Sequence, residues 1–210
     1  MSRNLILLGG GGHCKSVIDA AESAGYIIMG VLDMPETVGQ KVLQYPIIGT
    51  DDMIPALIDK AEFVITVGQI KSNNTRVKLA ELVQQTGGKF ATIIASDAYV
   101  SKYASLGEGT VVLHKAVVNA NARIGKHAII NTMADIEHDA IVGDFCHIST
   151  AAIVNGEVTI GNNVFVGSSS VIHHCTTIAD NITVAAGSVV SKNLKDSGIY
   201  AGNPVKFYGK

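Results

Sequence analysis

Residues 111–152 read VVLHKA VVNANA RIGKHA IINTMA DIEHDA IVGDFC HISTAA, seven hexads in a row. The second residue of each hexad is branched and aliphatic: Val112, Val118, Ile124, Ile130, Ile136, Val142 and Ile148. The sixth is small: Ala116, Ala122, Ala128, Ala134, Ala140, Cys146 and Ala152. The aliphatic register runs back through Leu106 to Val100. It runs forward through Val154, Ile160, Val166, Ile172, Ile178 and Val184 to Val190, sixteen positions without a slip. Valine, isoleucine and leucine make up 58 of the 210 residues, so chance agreement at all sixteen positions is on the order of 10⁻⁹. Gly107, Gly125, Gly143 and Gly161 recur every 18 residues, so three hexads make one coil. The pattern predicts a triangular parallel β-helix whose coils stack about 4.8 Å apart. The 18-residue glycines mark its tight corners. A narrow prism of this kind has no room for rings, which accounts for a chain 47% hydrophobic yet 5% aromatic, without tryptophan.

Before residue 97 the pattern is different. Leu5–Leu8 is a short aliphatic run suited to a strand buried on both faces. Gly9 to Gly12 breaks it, and His13 to Ala24 has helical spacing. Strands are predicted over Tyr26–Leu32, Glu62–Val67 and Phe90–Ile94. A helix capped by Asp51 or Asp52 should run to about Lys60, and another from Asn73 or Asn74 through Gln85 to the stop at Gly87-Gly88. Alternating strands and helices imply a mostly parallel sheet. The organisation is therefore an α/β half-Rossmann domain over 1–97 and a β-helix over 98–210.

The formal net charge of −2 argues against a nucleic-acid footprint. Cys14, Cys146 and Cys175 are too few for a disulfide framework and too far apart for a Cys-x-x-Cys metal clip. Only four aliphatic residues follow Met1-Ser2-Arg3-Asn4 before glycine, too short for a signal peptide, and no apolar run reaches the roughly 18 residues of a membrane span. A cytoplasmic protein is expected.

Three further stretches carry chemical information: Gly9-Gly10-Gly11-Gly12-His13 after the first strand, Ile136-Glu137-His138-Asp139 within the hexads, and the tail Gly202-Asn203-Pro204-Val205-Lys206. Together with the repeat they make the chain resemble the left-handed β-helix (hexapeptide-repeat) sugar acetyltransferases along essentially its whole length. Within that family the likeness is to the sialic-acid O-acetyltransferase, UDP-N-acetylbacillosamine N-acetyltransferase and perosamine N-acetyltransferase group. The left hand of the helix is implied by the resemblance; a period of six does not reveal it.

The resemblance implies acetyl transfer from acetyl-CoA to the 4-amino group of a nucleotide-linked amino-deoxysugar. His138 would be the general base: histidine titrates near neutral pH, and the attacking amine must lose a proton. Asp139 would hold one imidazole nitrogen, with Glu137 the second choice. No activated serine or cysteine is evident, so direct attack in a ternary complex is expected. His147 lies half a coil further on, and the family assembles as homotrimers with sites between prisms. A shared site would then take His138 from one subunit and His147 from the next; the alternative is a His147 packed at the trimer seam. Contacts to acetyl-CoA carry over to His147, Gly156, Ser168 and Ala186, with Gly156 leaving room for a ligand arm in the column of Ala120, His138 and His174. Lys206 could meet a phosphate.

In the first domain, backbone amides of the glycine run can face a diphosphate, and Asp33 ends a strand where acidic residues take ribose hydroxyls. Gly11, Gly12, His13, Asp33, Met34 and Gly68 match the family's nucleotide-sugar contacts. The family usually has glycine after this histidine; here Cys14 and Lys15 follow. No metal is expected: His173 and His174, adjacent on a strand, would point to opposite faces. Two other readings use the same residues: O-acetylation of a sialic-acid-type sugar, and a noncatalytic nucleotide-sugar-binding protein.

Overall fold

The computed structural model describes residues 3–69 and 73–209. Met1 and Ser2, weighed above as the start of a possible leader, lie outside the described residues. The chain divides into two compact units, Met1–Ser96 and Asp97–Lys210.

The first unit is a five-stranded sheet with strand order β3-β4-β2-β1-β5. The strands are β1 (Asn4–Leu8), β2 (Ile27–Leu32), β3 (Lys41–Val42), β4 (Tyr45–Gly49) and β5 (Glu62–Ile65). β1 pairs in parallel with β2 and β5, and β2 in parallel with β4. Leu5–Leu8 are fully buried, as a central parallel strand requires. Helix α1 (Gly12–Ser23) follows β1 and buries Cys14, Val17, Ile18, Ala20 and Ala21 at helical spacing. The antiparallel β3-β4 hairpin adds an edge not foreseen from the pattern. Two expectations need correction. Asp51 and Asp52 do not cap a long helix: they form a 3₁₀ turn (Asp51–Met53) leading into a four-residue helix α2 (Ile54–Leu57), and Asp52 accepts a hydrogen bond from the Thr50 hydroxyl. Phe90–Ile94 is not one strand; Phe90 makes an isolated parallel bridge to Phe63, and only Ile93–Ile94 is extended. Helix α3 runs from Asn74 to Gln85 as expected.

The second unit is the β-helix. Short strands, all but one of two residues, recur every six residues from Tyr99 to Val190 and pair in parallel in three ladders, each with an 18-residue register. Asp135-Ile136, for example, pairs with Val117-Val118 on one side and Ile153-Val154 on the other. The inward aliphatic of each rung from Val112 onward is buried, as are Ala116, Ala122, Ala128, Ala134, Ala140, Cys146 and Ala152. Rings stay off the inner rungs until Tyr200, which packs into the last layer and donates its hydroxyl to the Asp196 carbonyl.

The corners differ from expectation. Every sixth residue from Gly109 to Gly187 has positive φ, and twelve of these fourteen left-handed positions are not glycine. Gly107, Gly125, Gly143 and Gly161 lie two residues earlier, outside the positive-φ set. They are required for close approach: a Cβ at Gly143 would lie 2.6 Å from the Gly161 carbonyl oxygen. Among the described residues, no helix is long and apolar enough to cross a membrane.

Candidate active site

The corner that follows Ile136 holds the candidate base and its carboxylate neighbour. In a strand, successive side chains point to opposite faces, but His138 and Asp139 lie in a turn and Asp139 has φ +61°. Aspartate tolerates this region better than most residues. The result brings two neighbours in sequence together: His138 Nδ1 is 2.8 Å from Asp139 Oδ2. The other carboxylate oxygen, Oδ1, accepts a 2.6 Å bond from Asn121 Nδ2 one coil below. Hydrogen bonds from Asn121 and then His138 hold the Asp139 carboxyl below its usual range. An ionised carboxylate can only accept, so Nδ1 carries the proton and Nε2 the lone pair. The bond to Asp139, with help from the charges of Asp139, Glu137 and Glu157, raises the His138 pKa above the ordinary histidine value. The ring remains 58% exposed.

Glu137, the second choice as orienter, is occupied elsewhere. Its Oε2 accepts from Asn119 Nδ2 at 3.0 Å and from the His138 backbone amide at 3.3 Å. Gly156 has the column position expected, one coil above His138, but the space over it is not open. A Cβ there would lie 2.7 Å from His138 Cε1 and 2.8 Å from Nε2, so the missing side chain seats the imidazole itself. Beside this corner is an open cleft of about 630 Å³, lined by Glu137, His138, Gly156, Glu157, His173 and His174 among others. His173 and His174 therefore share one cleft; they lie at and just after the strand end, not within a strand. Among the described residues no group of three His, Cys, Asp or Glu could hold a metal ion.

His147 stands on a different ladder and is not brought to His138 within the chain. It is buried, its Nε2 is 2.9 Å from Asn131 Nδ2, and its ring meets Phe165 edge-on. Ser168 and Ala186 stack 18 residues apart in a third column; the Ser168 hydroxyl is 3.0 Å from that of Ser149, and Ala186 is exposed. Lys206 is exposed in the terminal hairpin, in a cleft with Lys192 and Lys195. Cys146 is core: its thiol donates to the Gly161 carbonyl at 3.0 Å and burial pushes its pKa up to about 12, which rules it out as a nucleophile at neutral pH. Asn121, Asn131 and Glu157 were not singled out from the sequence; a period of 18 applied to polar residues would have found Asn121 and Glu157, one coil either side of Asp139.

At the C-terminal edge of the first unit's sheet, Gly9 has φ +106° and its carbonyl accepts from Thr66. A Cβ on Gly10 would lie 2.6 Å from Asp33 Oδ2, and one on Gly68 3.5 Å from His13 Cβ, so the loops after β1, β2 and β5 converge. Gly11 and Gly12 are different: nothing lies within 4 Å of the Cβ either would carry. Packing does not demand glycine there, and both residues are exposed at the start of α1. Met34 is exposed at the same edge. Cys14 turns inward with its pKa raised by burial to about 11, whereas Lys15 is exposed. Burial, then Asp33 and Asp52, raises the Asp51 carboxyl.

Residues 4–83 match the PglD N-terminal domain family, and residues 157–192 match the bacterial transferase hexapeptide family (six repeats). No curated protein sequence matches the chain. Among solved structures, PerB from Caulobacter crescentus, in complex with CoA and GDP-perosamine, is 32% identical with a TM-score of 0.91; the alignment covers 98% of this chain and 97% of that one. The acetyltransferase domain of PglB from Neisseria gonorrhoeae, in complex with acetyl coenzyme A, is 31% identical with a TM-score of 0.91, covering 99% and 100%. WeeI from Acinetobacter baumannii, 21% identical with a TM-score of 0.86 over 97% and 99%, shares the fold.

Proposed function

The chain belongs to the hexapeptide-repeat, left-handed β-helix sugar acetyltransferases, and from that membership we propose that it moves the acetyl group of acetyl-CoA onto the 4-amino group of a nucleotide-linked amino-deoxysugar. One observation carries the mechanistic part: His138 is tied through Nδ1 to an ionised Asp139 and presents its ring to a cleft. The amine nitrogen attacks the thioester carbonyl, forming the N–C bond. His138 Nε2 takes the proton that nitrogen sheds and returns it to the sulfur as the C–S bond breaks, so CoA leaves as its thiol and the base is restored. Asp139 fixes the tautomer and favours the imidazolium that forms. Among the described residues, the cleft lining includes Glu137 and Glu157 and no lysine or arginine. That charge repels a sugar bearing its own carboxylate, and so favours amine over sialic-acid acetylation.

The glycine edge of the first unit suits the nucleotide diphosphate. Gly11 and Gly12 are exposed with open space above them, His13 and Gly68 adjoin, and Asp33 and Met34 are the proposed contacts to ribose and base. His147, Ser168 and Ala186 are proposed to contact acetyl-CoA, with Gly156 close to the reacting thioester and Lys206 near a phosphate. Because His147 and His138 occupy separate ladders, a complete site needs a homotrimer, in which the partner subunit's His147 faces His138. The three free thiols suit a reducing, cytoplasmic setting.

The test is an acceptor screen: acetyl-CoA with GDP-, UDP- and dTDP-linked 4-amino sugars and with free sialic acid, reading CoA thiol release. Release with an amino sugar is expected. Release with sialic acid alone overturns the acceptor assignment, and release with none favours a binding protein. The pH profile gives a second expected result. As pH falls through the raised pKa of His138 the base is protonated and kcat/KM is lost. In Asp139→Gly the partner that raises the pKa is gone, so this acid limb moves to lower pH, toward the ordinary histidine value near 6.5. An unmoved limb would separate Asp139 from the base.

A further inference from the structure

We infer that Asn121 is a positioning residue for the transfer reaction, acting on His138 through Asp139; this rests on the reading of His138 as the base. The two oxygens of Asp139 are divided between two partners. Oδ2 meets His138 Nδ1 at 2.8 Å and Oδ1 meets Asn121 Nδ2 at 2.6 Å. With one oxygen held by an amide, the carboxylate cannot rotate about its Cβ–Cγ bond without breaking a charge-assisted hydrogen bond. The plane it presents to the imidazole is thereby set from a residue 18 positions away. Asn121 and Asp139 occupy the same left-handed corner in successive coils, with φ +60° and +61°, and the Asp139 amide donates to the Ala120 carbonyl at 3.1 Å. Two backbones and one side-chain bond therefore fix the separation.

The neighbour on the far side cannot replace this donor. Glu157, the next residue in the corner column, is a like charge. Glu137 and Glu157 add negative charge around His138, while Arg123 is the cation that acts on Asp139. Among these groups Asn121 supplies the directional bond, because a neutral amide sets geometry without neutralising the carboxylate that His138 needs.

The corner suggests its own control. Positions 109 and 187, in the same left-handed place, are glycine, so Asn121→Gly and Asp139→Gly remove side chains without straining the backbone. Asn121→Gly should lower kcat by on the order of tenfold, as orienting partners of a base do. KM for both substrates and the thermal unfolding midpoint should stay near their starting values. In the Asp139→Gly background the same change should cost nothing further, because the group it acts through is absent. An equal loss in both backgrounds, or no loss in the parent, overturns the inference. If His138→Ala retains full activity, the reading of the base fails instead.

Discussion

His138→Ala should lower kcat by on the order of 10²–10⁴-fold, the range lost when a positioned general base is removed. The protein should remain folded. The ring is 58% exposed, and its side-chain hydrogen bond is to Asp139, itself 47% exposed. Neither group lies within the aliphatic core of the prism. Loss of turnover with an unchanged unfolding midpoint and unchanged acetyl-CoA binding assigns the residue to the chemical step. Transfer at close to the original rate would sink that role, because among the described residues no other group lining the cleft has a carboxylate holding a ring nitrogen. His173 and His174 line the same cleft, so the His138→Ala enzyme also tells whether either can substitute.

Gly156→Ala should have the second-largest effect, without replacing a titratable group. The added Cβ would lie 2.7 Å from His138 Cε1 and 3.3 Å from Nδ1. Real contacts are not that short, so the ring must move off its seat and lose its bond to Asp139. The glycine is not in the positive-φ region, so alanine leaves the backbone unstrained and the prism intact. A displacement on the order of 1 Å at the reacting base costs on the order of 10²-fold in rate, and a fall of 10- to 100-fold in kcat is expected. Freed from Asp139, His138 should also titrate lower, moving the acid limb down. If instead KM for acetyl-CoA rises while kcat holds, Gly156 makes room for a ligand arm and not for the imidazole.

The role of Gly156 shows where sequence reading stopped. Stacking by 18 put Gly156 in the column of His138, and the structure keeps it there. The column does not say which side chain leans over which backbone. That depends on the rotamer of His138, which its hydrogen bond to Asp139 decides. Asn121 was missed for a related reason. Its partner is 18 residues away, and polar residues at corners look solvated when taken one at a time. The glycines at 107, 125, 143 and 161 were located correctly but explained wrongly. Close stacking of coils requires them, while the turns are made by residues such as Lys115, Phe145 and Ala151 in a conformation usually left to glycine. In the first unit, Gly9 to Gly12 looked like one feature. Only the packing separates Gly9 and Gly10, which the fold requires, from Gly11 and Gly12, which it leaves free.

The hexad period by itself determined the stacked aliphatic interior, the 18-residue register and the switch from α/β grammar near residue 97. Burial of one residue in six is a repeating constraint, and a repeating constraint leaves a repeating sequence. The Glu137-His138-Asp139 stretch marked the corner where the structure places a His–Asp pair beside a cleft. Tertiary structure decided how His138 and Asp139, expected as partners, come to face each other: neighbours in an extended chain point apart, and the left-handed corner at 139 turns them together. It also decided that Asn121 completes the row and that Gly156 carries the ring. Hydrogen-bond geometry between coils depends on distances of tenths of an ångström, and no periodicity in residue type records those.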